Sequence, residues 1–124
     1  MRLPSRLGTA IEVAIEGDKR FARERDPIQY LCVYKTIGRS VFAFERITLN
    51  QIVFWLPDMP MVKKIAEESG CKIKHSIPWP ERPARENYGR LSSLEYIPQL
   101  GDQPLWSVQI KSPPEALLML SALP

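Results

Sequence analysis

An α+β fold is predicted for this chain: a mainly antiparallel sheet of about five strands with helices packed on it as a two-layer sandwich. Three observations carry that expectation. Residues 30–57, YLCVYKTIGRSVFAFERITLNQIVFWLP, hold three consecutive strand-like runs joined by turns too short for the crossover that parallel pairing needs. Helix signatures with start and stop signals follow at 58–70 and at 112–123. Between them lie a clean apolar–polar alternation at 71–77 and a last strand-like run at 105–111. The expected order is α-β-β-β-α-β-(α)-β-α within one domain spanning 1–124.

Residues 6 to about 24 read as a helix. Leu7, Ala10, Ile11, Ala14, Ile15 and Phe21 recur near helical spacing, and Glu12 and Glu16 share the opposite, solvated face with Lys19, Arg20 and Arg23 nearby. Ser5 and Thr9 are candidate caps. Gly17-Asp18 is the weak point: in the competing reading it turns a hairpin between 10–16 and 19–25, where Ile11, Val13 and Ile15 alternate. The helix is preferred, and Asp26-Pro27 closes it.

The meander follows. Its first strand, 28–36, is rich in apolar, aromatic and β-branched residues, and Gly38 in the reversal at 37–40 is expected to supply φ > 0. In the second strand, 41–47, Phe42, Phe44 and Arg46 point one way and Val41, Ala43, Glu45 and Ile47 the other. Neither set is purely polar, so both faces are expected to be partly covered. In the third strand, 51–56, the continuous run Ile52-Val53-Phe54-Trp55 marks a central strand buried on both sides, ended by Pro57.

The helix at 58–69 is predicted with Asp58 as N-cap, Pro60 in its first turn and Gly70 just past its end, burying Met61, Val62, Ile65 and Ala66. In the strand 71–77, Cys71, Ile73, His75 and Ile77 share one face and Lys72, Lys74 and Ser76 the other, which places the strand near a sheet edge. Residues 78–90, PWPERPARENYGR, form a loop, since three prolines in six residues forbid regular hydrogen bonding. A short helix at 92–100 with Ser92 as cap, a turn at 101–104 and the strand 105–111 follow. The last helix, 113–123, starts from Ser112-Pro113-Pro114-Glu115 and buries Ala116, Leu117, Leu118, Leu120 and Leu123 on the sheet.

Bulk properties bound the function. Hydrophobic and charged contents of 44% and 25% are those of a globular domain rather than a disordered chain. No apolar run reaches the roughly 18 residues of a membrane span, and Arg2 and Arg6 are followed by no apolar signal region, so a cytoplasmic location is expected. Cys32 and Cys71 are then reduced and buried rather than bridged. The net charge of +3 is mild, but it is clustered: from 72 to 90, five cations (Lys72, Lys74, Arg82, Arg85, Arg90) oppose Glu81 and Glu86, an excess equal to that of the whole chain.

That cluster is the candidate site. Lys72, Lys74, His75, Trp79, Arg82, Arg85, Tyr88 and Arg90 combine cations that neutralise phosphates with aromatic faces on which unpaired bases stack. The expected function is a non-enzymatic nucleic-acid-binding module; the alternative is a small interaction or inhibitor domain that binds a protein partner through the same loop, whose Trp, Tyr and Arg content suits a hot spot. No catalytic residue, metal site or cofactor is expected. His75 is the one histidine and falls on an apolar face, where a satisfied core or edge histidine is the ordinary reading, and Cys71 with His75 supplies too few ligands for zinc. Glu12/Glu16 and Glu67/Glu68 read as solvated helix faces, the six glycines form no phosphate loop, and Arg90 before Ser92 reads as an ordinary cap that an anion can share.

Tyr34-Lys35 followed by Phe42-Ala43, then an apolar strand, then a late strand leading into the Ser/Pro-capped last helix, resembles small α+β domains of the YjbR kind. The likeness covers 30–56 and 105–123 in order and pattern. It implies the α+β fold and, since several such domains are suspected of binding nucleic acid, points the same way as the basic loop.

Overall fold

Ser5 opens the first helix: its backbone is extended and its hydroxyl accepts the Gly8 amide at 2.9 Å. The computed structural model describes residues 4–28, 30–47, 50–77, 94 and 97–124. Its elements are α1 (Arg6–Glu16), β1 (Phe21–Ile28), β2 (Leu31–Thr36), β3 (Val41–Glu45), β4 (Ile52–Pro57), α2 (Pro60–Ser69), β5 (Ile73–Ser76), α3 (Pro98–Gly101), β6 (Leu105–Ile110) and α4 (Pro113–Leu120). All the strand pairs are antiparallel, in one sheet ordered β1-β2-β3-β4-β6-β5, so the expected α+β class holds with one strand more than expected.

The additional strand is β1, and it corrects the reading of 6–24 as one helix. The helix stops at Gly17. The Asp18 carboxylate then accepts the Arg20 amide at 2.9 Å and pairs with its guanidinium, which closes a local turn, and the chain returns as β1 beside β2. The hairpin alternative was right about the second arm and wrong about the first. Nor does Asp26-Pro27 end the segment: Pro27 lies within β1, tolerated because β1 is an edge strand whose register shifts on both sides of Arg25. The meander's first strand accordingly starts at Leu31.

At the β2–β3 turn, Arg39 and not Gly38 takes the left-handed conformation, with φ 67. Gly38 is needed for proximity instead, since a Cβ there would stand 2.4 Å from the carbonyl carbon of Pro124. Gly70 does fill the left-handed position that ends α2, with φ 73. At α4 the Ser112 hydroxyl accepts the Glu115 amide at 3.3 Å, as its sequence predicts, while the Glu115 carboxylate reaches the Lys111 amide at 3.0 Å. The buried stripe of α4 is Ala116, Met119 and Leu120; Leu118, expected inside, is half exposed, as is Met61 of α2.

Both faces of the meander are covered. On one, α1, α2 and α4 pack over a ladder of stacked rings, Tyr34, Phe42, Phe44 and Phe54, with Phe21 edge-on to Phe42. On the other, Leu94, Ile97 and Leu100 cover Leu31, Val33, Val41, Ala43, Trp55 and Leu105. The alternation of β3 and the unbroken apolar run of β4 follow from this arrangement. β4 lies between β3 and β6, with Ile52, Phe54 and Leu56 under the helices and Trp55 on the opposite side.

Candidate functional site

Among the described residues, strand β5 ends the sheet and pairs only with β6, as its alternation predicts. The register sets Ile73 opposite Val108, Lys74 opposite Ser107 and His75 opposite Trp106. Successive side chains alternate, so Ile73 and His75 project to the helix-covered face and Lys74, with Lys72 two residues before it, to the other. The backbone there is held firmly: the Lys72 carbonyl accepts the Gln109 amide at 3.0 Å and the Lys74 carbonyl the Ser107 hydroxyl at 3.3 Å. Both lysine side chains are exposed, and among the described residues neither makes an ion pair. Arg20, Arg23, Lys35, Arg46 and Lys63, by contrast, are each matched to a carboxylate. Trp79, Arg82, Arg85, Tyr88 and Arg90, and the anion site read at Arg90 and Ser92, lie outside the described residues.

The structure therefore does not place His75 on the same surface as the lysines. Its Nε2 bonds Asp58 Oδ2 at 2.9 Å, and its ring stands edge-on to Trp106 with centroids 4.9 Å apart. Both partners of the pair are well exposed, at 40% and 38%. This overturns Asp58 as the N-cap of α2. Met59 holds that position with no side-chain cap, and the carboxylate crosses to a ring 17 positions away. A hydrogen-bonded edge histidine is what remains, and among the described residues no hydroxyl or thiol bonds its ring to complete a triad.

A second constellation, Glu12 and Glu16, is solvated only in part: Glu16 is exposed, as expected, while Glu12 is half-buried, and both carboxylates are claimed by arginines. Glu12 of α1 is 17% exposed in its side chain and receives Arg46 Nη1 on both oxygens, at 3.2 and 3.0 Å. One turn on, the Glu16 Oε1 accepts the Tyr34 hydroxyl at 2.7 Å and Arg23 Nε at 2.6 Å. Because β1 folds back beside α1, Arg23 meets these carboxylates from the sheet rather than from a shared helix surface. The Tyr34 hydroxyl, followed by Arg23, holds Glu16 below the usual carboxylate range. Burial first, and then the Glu12 charge, pushes the neighbouring Cys32 thiol up to about 12, and burial followed by the bond to Glu16 raises Tyr34. Two carboxylates saturated by arginines beside a thiol held protonated make a staple between α1 and the sheet, not a nucleophile with its base. Only the tertiary contacts of Arg23, Tyr34 and Arg46 reveal it; the i, i+4 spacing of Glu12 and Glu16 alone gives no such signal.

Among the described residues, no three His, Cys, Asp or Glu side chains come together as a metal site, and no helix is long and apolar enough to cross a membrane. No family model, no curated protein and no solved structure matches the chain.

Proposed function

We propose that the protein is a nucleic-acid-binding module whose contact surface is the outer side of β5 together with the basic stretch that follows it. The observation that carries this reading is the pair Lys72 and Lys74: two ammonium groups on one side of an edge strand, exposed, and without an acidic partner among the described residues. Acidic side chains elsewhere absorb many of the remaining cations, whereas these two stay available to phosphate. The sequence adds Arg82, Arg85 and Arg90 within the next 16 positions after Lys74, with Trp79 and Tyr88 as rings for stacking. A protein partner at this surface is the second reading, favoured by the position of β5 at the sheet edge, where a peptide strand can add to the ladder.

Fluorescence anisotropy with short single- and double-stranded oligonucleotides tests it. Replacing Arg82, Arg85 and Arg90 together with alanine weakens binding and flattens the dependence of log K on log salt, by about 2 on single strands if all three touch phosphate. Unchanged affinity in the triple variant removes the arginines from the site.

A further inference from the structure

The strand registers define one end of the sheet. Lys35 lies opposite Val41, Pro57 opposite Leu105, and Leu105 opposite Ser76. The pairing of Ala43 with Trp55, continued two residues, sets Val41 beside Pro57. Ser40, Asp58, Pro104 and Ile77 thus stand one step beyond a single row, and it is at Ile77 that the chain leaves toward its basic stretch. A groove of about 500 Å³ opens at this end, lined by Arg39, Ser40, Pro57, Asp58, Gln99 and Pro104 among others. Its size is that of small-ligand pockets, which span roughly 300–1,000 Å³.

Three of its side chains, those of Arg39, Asp58 and Gln99, keep polar atoms open. Among the described residues, neither the Arg39 guanidinium nor the Gln99 carboxamide has a hydrogen-bond partner, and Asp58 engages His75 through Oδ2 alone, leaving Oδ1. Arg39 is also the only described residue other than glycine with positive φ, at 67. An arginine kept in a backbone conformation that glycine adopts without strain, directly after Gly38, is the kind of local cost that collects at binding sites.

We propose that this groove holds an unpaired purine nucleotide, guanine in preference to adenine, belonging to the nucleic acid gripped by Lys72 and Lys74; in that respect it rests on the function proposed above. The chemistry selects the base. Guanine presents the O6/N7 acceptor pair that an arginine fork reads bidentately, and its amino group is a donor for the Asp58 oxygen left over by His75. Adenine suits the Gln99 amide but offers Arg39 no acceptor pair, and pyrimidines lack N7. Pro57 and Pro104 supply apolar surface for the base.

The test is an amide-resolved NMR titration of the full chain with GMP, AMP, CMP and UMP, using ribose 5-phosphate as the phosphate control. The expected result is movement of Arg39, Ser40 and Asp58 and of the Gln99 side-chain amide, with GMP tightest and pyrimidines weaker by about tenfold or more. Arg39→Gly suits the observed φ, so it retains the fold while losing about tenfold or more in GMP affinity; Arg39→Lys keeps the charge but loses the guanine preference. No shifts at millimolar GMP, equal shifts with ribose 5-phosphate, or full affinity in Arg39→Gly overturns the proposal. Oligonucleotides separate the two readings. A chain that binds guanine-containing and guanine-free single strands equally refutes the groove and leaves nucleic-acid binding standing. GMP binding by a chain that takes no oligonucleotide keeps the groove as a mononucleotide site and refutes its link to the edge strand.

Discussion

Gly8→Ala tests how α1 is seated, because two effects of opposite sign compete. In an isolated helix the substitution is favourable by about 1 kcal/mol. Here a Cβ on Gly8 would lie 2.1 Å from the carbonyl oxygen of Arg46, 2.6 Å from its carbon and 2.8 Å from its Cα, all rigid backbone. To bring the oxygen out to 3.4 Å, where ordinary contact begins, α1 must retreat by roughly 1.3 Å. That movement stretches the 2.8 Å bond from the Ser5 amide to the same oxygen and pulls on the Glu12–Arg46 pair one turn later. Overpacking of this kind costs about 1–3 kcal/mol and the weakened hydrogen bond about 1 more. Set against the gain in helix propensity, the net loss is about 2 kcal/mol, or roughly 6–10 °C in Tm for a chain of this length. Thermal unfolding followed by circular dichroism at pH 7 reads it directly. A variant as stable as the parent, or more so, would show that α1 does not rest on the Arg46 backbone and would refute the seating.

Other consequences follow from the same contacts. With thiols pushed up to about 12 and about 11, Cys32 and Cys71 resist iodoacetamide at pH 7.5 in the folded protein and react quickly once it is unfolded in denaturant; rapid native labelling of Cys32 contradicts its burial. Glu16 has its folded pKa depressed, so its contribution is present above the ordinary carboxylate value and disappears as pH falls through the depressed one. Melting temperature therefore holds from pH 7 to about 5 and declines below about 4.3, less steeply in Glu16→Gln; parallel declines in the two proteins remove Glu16 from the network. Arg39→Gly relieves the left-handed strain, worth about 1–2 kcal/mol, at an entropic cost of about 0.5–1, so its urea midpoint matches or exceeds that of the parent; a marked drop would mean that Arg39 is structural.

The parts of this fold legible in the sequence are those fixed by short-range pattern. The alternation of Phe42 and Phe44 against Val41 and Ala43, the apolar run Ile52 to Trp55 and the Ser112–Glu115 cap place β3, β4, β6 and the start of α4 within a residue or two. β1 escaped because FARERDPI is half charged and carries a proline, tolerable only at an edge, and because its residues extend a helical period that Gly17 and Asp18 interrupt. Of the site, the opposite projection of His75 and Lys74 follows from period two alone. The bond of Asp58 to His75 and the meeting of Arg39 with Asp58 and Gln99 join segments far apart in the chain, and no local pattern announces them. The ion pairs of Glu12 and Glu16 are equally hidden from local pattern, because the arginines that claim them come from β1 and from the end of β3.

The most direct test of the edge strand as a nucleic-acid surface is the salt dependence of single-strand binding in Lys72→Ala/Lys74→Ala beside the parent, from about 50 to 200 mM salt. Both positions are exposed, so the fold is retained. If each ammonium neutralises one phosphate, the parent binds at 50 mM, and the slope of log K against log salt is shallower by about 1.4 in the double variant. Equal slopes, or a parent that binds no oligonucleotide at the lower salt, contradict the assignment.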